Sequence, residues 1–279
     1  MLPTQTAPEP RQKTVGRQIL KVQNAPLTRT KRQTLELLGE YFCLRTKDVA
    51  ELLKNRLPSE NDLRGTLAKL KILREEGYVH RERYFELDVE ARTYVYGLTD
   101  KGVKVVDTED AKSFDEHSLR TLDHELEISF FHIALNRFCE QNGLTLYWQQ
   151  SDLKRGIHPD ALFALTNARG TYYFFLEVEK VKKTESALIT KLARYAEYYD
   201  TDQCEKDWNL RTFRVVVIQE HNERKPDARR QNLLRALQET LAYKMFWLTT
   251  ERLYKESIGG EIFSTPKDYA DQRYSFLSL

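Results

Sequence analysis

The chain has 279 residues, with 44 Lys and Arg against 42 Asp and Glu, six His and three Cys. With 41% hydrophobic and 11% aromatic residues it can bury a real core, which excludes wholesale disorder, and the length fits one large domain or two modest ones. No run approaches the roughly 18 consecutive apolar residues of a membrane span, and Cys43, Cys139 and Cys204 are too scattered for a CxxC metal site or a disulfide framework. The opening MLPTQTAPEPRQK lacks an apolar signal core, so a cytoplasmic protein without membrane contact is expected.

The net charge of +2 conceals a split. Residues 1–106 hold 20 Lys and Arg against 14 Asp and Glu, while residues 107–279 hold 24 against 28. The surplus starts in residues 1–27, where Arg11, Lys13, Arg17 and Lys21 face only Glu9 and four prolines disfavour helix. This segment reads as a flexible basic arm suited to a phosphate backbone, though solvated tails look alike.

Residues 28–106 carry three helical patterns in succession. The first, residues 30–43, holds Leu35, Leu37, Leu38, Tyr41 and Phe42; the second, residues 46–54, starts at a Thr cap. Pro58-Ser59 opens the third, with Ser59 and Asp62 as a capping pair, an inward stripe of Leu63, Leu67, Leu70 and Leu73 or Arg74, and a stop near Gly77. Two strand-like runs, YVHRERYFELD and ARTYVYGL, follow around a turn near residues 88–91, and LTDKGVKVV closes the segment with a Thr-capped helix. Helix–helix–helix–hairpin is the winged helix-turn-helix order, whose third helix enters the major groove. Asn61, Arg64, Gly65, Ala68 and Lys69 share one face of that helix, where Arg and Asn can read base edges; Arg81, Arg83 and Arg92 on the hairpin suit phosphates. A solvated face used for protein contact is the alternative, and the adjoining basic arm favours DNA.

Residues 107–118, polar and acidic, read as a linker to a nuclease-like α/β domain spanning 119–279. Its predicted order is helix (about 120–141), strands (144–150, 157–166, 171–179), helix (185–200), strand (212–219), helix (227–243) and strand (245–249). YYFFLEV and FRVVVIQ are apolar on both faces, as interior strands of a covered sheet are. Strand–helix–strand segments imply parallel crossovers, so the fold class is α/β (α+β overall). No GxGxxG or GxxxxGK[ST] occurs, which disfavours dinucleotide and Walker-type phosphate binding. The tail after Gly259 carries little signal.

In YYFFLEVEK, alternation places Tyr173, Phe175, Glu177 and Glu179 on one face and Tyr172, Phe174, Leu176 and Val178 on the other. Two carboxylates in an otherwise apolar strand are costly unless something positive offsets them. If the preceding strand is its neighbour, Asp160 meets Glu177 and Glu179 at one sheet edge. Such a set suits Mg²⁺ or Mn²⁺, which would activate water or polarise a phosphodiester. Lys191 lies on the inward stripe of TESALITKLARYAEYY with Leu188, Leu192, Tyr195 and Tyr199, aimed at the carboxylates or snorkelling. His124 aligns with Glu127/Ile128, Phe131 and Leu135, as a satisfied core histidine or a site member. Glu125, Ser129, His132 and Asn136 form a polar face expected to be solvated.

The element order with Asp160 and Glu177-Val178-Glu179-Lys180 resembles the PD-(D/E)XK, restriction-endonuclease-like core. That signature ends in Glu-x-Lys, and Glu179 stands where the lysine belongs. Lys180, Lys182 or Lys191 must then replace it, or metals alone suffice, or cleavage has been lost. LDHELEISFFHIAL, HPDALFAL and YYFFLEVEKVKKTESALITKLARYAEYY, after a winged helix ending in LTDKG, resemble the replication-relaxation family of plasmid proteins, itself related to MobC-type mobilisation relaxases. The resemblance spans about residues 30–220. It implies Asp160, Glu177, Glu179, Lys180, Lys191, Tyr195 and His124 as site positions, and a DNA-binding plasmid replication or mobilisation protein that nicks or relaxes DNA. The alternative is a non-catalytic replication initiator, relaxosome accessory or regulator with a degenerate nuclease-like domain. The expected partner is double-stranded DNA at a plasmid origin, with relaxosome or replication proteins and a second copy of the chain (a homodimer) as further candidates.

Overall fold

The computed structural model describes residues 27–56, 63–86, 91–108, 111–114, 121–150, 156–180, 184–220, 228–240, 244–267 and 273–279. The basic arm, Asn61, the Ser59–Asp62 cap, the hairpin turn and Lys182 lie outside them.

Helices α1 (Arg29–Tyr41), α2 (Thr46–Arg56) and α3 (Leu63–Glu75) precede the hairpin β2 (Val79–Glu86) and β3 (Ala91–Leu98), giving a winged helix-turn-helix. Thr28 caps α1 by accepting from the Lys31 amide. Gly77 ends α3 at φ +79°, a left-handed turn in which the Tyr78 N–H reaches the Leu73 carbonyl at 2.9 Å. One strand escapes the sequence pattern. Phe42 turns the chain at φ 62°, and β1 (Cys43–Arg45) pairs antiparallel with β3, giving the order β1-β3-β2. Leu35, Leu38, Leu53, Leu70, Leu73 and Tyr96 fill this unit's core.

The phase of α3 differs from the expected stripe. Thr66, Leu70 and Leu73 face inward, whereas Leu63 and Leu67 are 51% and 41% exposed. The i, i+4, i+7 row that the core selects runs through Thr66, so the leucine at position 67 falls outside it. The short helix α4 (Asp100–Val103) is capped by Thr99, which accepts from the Gly102 amide.

The second unit opens with α5 (Leu122–Asn142), followed by β4 (Thr145–Gln149), β5 (Ala161–Asn167), β6 (Gly170–Glu179), α6 (Glu185–Asp200), α7 (Gln203–Trp208), β7 (Arg214–Gln219), α8 (Ala228–Thr240), β8 (Phe246–Thr250), α9 (Glu251–Ser257), β9 (Phe263–Ser264) and β10 (Arg273–Tyr274). Seven strands form one mixed sheet in the order β10-β9-β8-β7-β6-β5-β4. β4, β5 and β6 pair antiparallel, while β6-β7 and β7-β8 are parallel across the α6 and α8 crossovers. Helices α6 and α8 pack on one face, over Phe175, Val215, Val217 and Leu248. Helix α5 packs on the other, over Phe163, Phe174, Leu176 and Val216. The tail beyond Gly259 is integral: β9 extends the sheet, and Phe263, Phe276 and Leu279 enter the second core.

The polar face of α5 is not solvated. Ser129 and His132 are buried, because this face abuts the winged unit. The Ser129 hydroxyl donates to the Tyr41 carbonyl at 2.6 Å, and the Asn136 amide donates to the Tyr41 hydroxyl at 3.2 Å. His132 stacks on Trp148 with ring centroids 4.0 Å apart, and burial pushes its pKa down to about 3, so it sits neutral in the contact. Within the acidic segment read as a linker, Phe114 returns to the winged sheet: it is buried against Phe42, and its N–H donates to the Leu98 carbonyl at 2.7 Å.

Gly102 is fixed by close approach: a Cβ there would stand 2.2 Å from the Tyr78 backbone carbonyl. Gly102→Ala is therefore expected to destabilise the winged unit by about 1–3 kcal/mol. Thermal unfolding followed by circular dichroism checks this, and an unchanged midpoint would contradict it.

Candidate functional site

Strand β6 carries Glu177 and Glu179 on the α6 face, as alternation requires, and both side chains are fully buried. Asp160 stands immediately before β5, and its N–H donates to the Leu176 carbonyl at 2.9 Å, which seats it beside Glu177. Its Oδ2 accepts the Val178 N–H at 2.7 Å, and its Oδ1 meets His124 Nε2 at 3.1 Å. His124, on the first turn of α5, thus reaches across the sheet edge into the cluster.

Helix α6 supplies the cation. Thr184 caps it through the Ala187 amide, and Leu188, Leu192 and Tyr195 pack its inner face on the sheet. The same inner face carries the Lys191 ammonium, which bonds Glu177 Oε2 and lies 3.6 Å from Glu179 Oε1. One turn on, the Tyr195 hydroxyl donates to Glu177 Oε1. Five of the expected side chains therefore converge: Asp160, Glu177, Glu179, Lys191 and His124, with Tyr195 completing them. Lys191 is thus the lysine that lies against both Glu177 and Glu179.

Lys180 does not belong to this group. It points to the opposite face, 2.5 Å from Glu251 Oε1 and 3.6 Å from buried Glu127. Alternation sends residue 180 to the other side of the sheet from Glu179. There Glu127 also holds Lys255 at 2.9 Å and accepts from the Tyr254 hydroxyl, a network no local pattern announces.

The electrostatics follow from the charge count. Burial raises the Glu177 pKa, and Asp160 beside it raises it further; Lys191 and Tyr195 pull back only in part, leaving it at about 8 against an ordinary 4.5. Burial also works against Asp160's charge, but the His124 hydrogen bond and charge, Lys191 and the Val178 N–H outweigh it and lower its pKa. Burial opposes the Lys191 ammonium as well, yet Glu177 and Asp160 overcome it and keep the ammonium charged. For Tyr195, burial and then Glu177 drive the phenol well above 10, so it remains a neutral donor.

The carboxylate oxygens of Asp160 and Glu177 are hard donors, the kind that Mg²⁺ or Mn²⁺ takes. Among the described residues no three His, Cys, Asp or Glu side chains are gathered as a ready metal site. Lys191 stands between the carboxylates, and an ion at Asp160 and Glu177 would take over its neutralising role.

On the winged unit, Arg64 is exposed on α3 beside Leu63, Leu67 and Ala68, while Gly65 and Lys69 are half-buried. Arg83 is exposed on β2, and the Arg81 guanidinium stacks 4.2 Å over the Tyr94 ring. Arg92 lies on β3 opposite Phe85. Arg64 thus lies on α3, and Arg81 and Arg83 lie on β2 of the hairpin.

Residues 35–216 match the replication-relaxation family. The chain belongs to that family. Replication-relaxation membership covers the winged unit and the sheet as far as β7, so the whole carboxylate cluster lies within the matched region. Among solved structures, PadR of Bacillus subtilis in complex with operator DNA is 18% identical over 40% of this chain and 72% of its own, with a TM-score of 0.23. The restriction endonuclease FokI is 15% identical over 81% of this chain and 43% of its own, with a TM-score of 0.31. Both scores are too low to bear on the fold, which rests on the strand order and register above. No curated protein matches the chain. Among the described residues no helix is long and apolar enough to cross a membrane.

The raised Glu177 pKa has a consequence for stability. The protonated carboxyl is the better folded form, so its favourable contribution is complete below pH 4.5 and is lost as pH rises through about 8. Glu177→Gln is thus expected to gain in thermal midpoint relative to the wild type as pH rises from 5 to 9. A difference that stays constant across this range would contradict the assignment.

Proposed function

We propose that this replication-relaxation protein binds double-stranded DNA through its winged helix and nicks it at the Asp160–Glu177–Lys191 cluster, relaxing plasmid DNA for replication or mobilisation. The observation that carries this reading is the convergence of Asp160, Glu177, Glu179, Lys191 and His124, from two helices, the central strand β6 and the approach to β5. Unrelated parts of the chain bring ionisable groups into a buried place, at a desolvation cost that folding alone does not require.

Each residue has a task. Asp160, held ionised by His124, and Glu177, oriented by Tyr195, are the oxygen ligands that would hold Mg²⁺ or Mn²⁺. When bound, such an ion supplies Lewis acidity at the phosphodiester. The Lys191 ammonium, partly exposed, faces the incoming phosphate and offsets its charge. The neutral, buried Tyr195 phenol is a poor nucleophile, which favours water as the attacking group over this tyrosine. Double-stranded DNA is the macromolecular partner.

A second reading is favoured by one observation: both Glu177 oxygens are already engaged, by Lys191 and Tyr195. On it the cluster is a structural ion pair, and the protein is a non-catalytic initiator or relaxosome accessory that binds DNA and, through its other faces, replication proteins or a second copy of itself.

Supercoiled plasmid incubated with the protein and Mg²⁺ or Mn²⁺ separates the two. Conversion to open circle is expected, lost in Glu177→Gln and Asp160→Asn, lowered at least 100-fold in Lys191→Met, and retained in Lys180→Met. Tight binding of a cognate plasmid without conversion would establish the second reading. For the winged helix, Arg64→Ala with Lys69→Ala is expected to weaken duplex binding about tenfold or more in a gel-shift titration. Unchanged affinity would assign that face to protein contact.

A further inference from the structure

Strand β7 reads RVVVIQ, and its Val215, Val216, Val217 and Ile218 are fully buried. Gln219 ends the strand and is only 1% exposed. Alternation puts its side chain on the face of Val215 and Val217, which α6 and α8 roof. In the parallel register of β6 and β7, Glu177 stands opposite Val217 and Glu179 opposite Gln219. Neighbouring strands run about 4.8 Å apart, so Gln219 is the lateral neighbour of the Glu179 carboxylate. Asp160 adjoins Glu177 from the β5 side, and Gln219 adjoins Glu179 from the β7 side. The polar row of the candidate site therefore extends one strand further than the carboxylates alone.

A primary amide carries two N–H donors and an oxygen acceptor. Among the described residues neither Oε1 nor Nε2 of Gln219 has a hydrogen-bond partner. Its neighbour on the other side, Thr250 of β8, caps α9 by accepting from the Leu253 N–H at 3.4 Å. An amide unpaired at both ends is costly in a core, and a leucine would fill the same place without that cost. Such groups are rare in native proteins, and they mark a strained, ligand-binding or catalytic place. The position in the fold favours the last two. Gln219 stands at the carboxyl ends of the parallel strands β6 and β7, the edge at which open α/β sheets bind their ligands.

We propose that Gln219 is a further catalytic residue, which together with Glu179 seats the water that attacks the phosphodiester. This rests on the reading of the cluster as a nicking site. Water is the occupant that the chemistry selects, being small enough for so buried a place and able to donate to two oxygens at once. One water hydrogen goes to Gln219 Oε1 and the other to the Glu179 carboxylate, which leaves an oxygen lone pair for phosphorus. The Nε2 hydrogens remain for a non-bridging phosphate oxygen, next to the Lys191 ammonium that lies 3.6 Å from Glu179 Oε1. As the water oxygen bonds phosphorus, its proton passes to Glu179. The bond from phosphorus to the leaving sugar oxygen breaks, and that oxygen takes a proton from solvent. A glutamine amide suits the task because it orients water without adding charge to the site, as it does in other phosphoryl-transfer sites.

The test is single-turnover nicking of supercoiled plasmid with Mg²⁺ or Mn²⁺ by Gln219→Leu and by Gln219→Met, which keeps the unbranched shape of glutamine. Plasmid affinity in EDTA and the thermal midpoint are measured on the same preparations. Both variants are expected to bind plasmid as the wild type does and to unfold at or above its midpoint, since an unpaired amide has been removed. Both are expected to nick about 100-fold more slowly. Wild-type nicking in both variants, while Asp160→Asn abolishes it, overturns the proposal and leaves the reading of the cluster standing. A midpoint and a rate that fall together assign Gln219 to packing and overturn it as well. A wild type that binds plasmid without nicking it overturns the reading itself, and the proposal with it.

Discussion

The structure turns on the cost of burying Glu177 and Glu179 side by side on a central strand. Neither carboxylate reaches solvent, and Asp160 is seated against them by the antiparallel pairing of β5 with β6. Around them stand the Lys191 ammonium and the Tyr195 phenol of α6, the His124 imidazole of α5 and the Val178 N–H of β6 itself. Burial first, and then the neighbouring Asp160, holds the Glu177 proton far above the ordinary range, while His124 leads the contacts that let Asp160 lose its own more readily. Burying such a set without function would be costly against a leucine or valine of similar volume.

Helix α5 ties this cluster to the rest of the molecule. Its apolar face covers the sheet through Phe131 and Leu135, and its first turn delivers His124 to Asp160. Its other face receives Tyr41 and the start of β1 from the winged unit. A helix buried on both sides couples the placement of the winged helix to the geometry at the carboxylates. On the proposed function, the element that finds DNA and the element that acts on it share one structural member.

Much of this was legible in the sequence. Period-two alternation assigned the two faces of β6, and helical phase put Lys191 and Tyr195 on the inner side of α6, because both patterns are local and strong. The winged helix and the parallel crossovers followed from element order. What escaped depended on distant partners. The polar face of α5 looked solvated because Ser129 and His132 carry no sign that Tyr41 and Trp148 would cover them. Leu67 looked like core because nothing local reveals that Thr66 takes the inward position on α3. The strand β1 is three residues long, below any periodic signal, and the tail joins the sheet through aromatic packing rather than pattern. Lys180 and Lys191 were equivalent as candidates until strand alternation and helix placement sent them to opposite faces.

The near-neutral net charge now has a physical content. It sums a basic half that carries the winged helix and an acidic half that gathers Asp160, Glu177 and Glu179. The most direct measurement of that claim is a ¹³C carboxyl NMR titration of Glu177 in the intact protein, with and without Mg²⁺. The account expects titration near pH 8 in the metal-free protein, moving to more acidic pH as the ion supplies the missing charge. A carboxyl that titrates in the ordinary range and ignores divalent ions would contradict it.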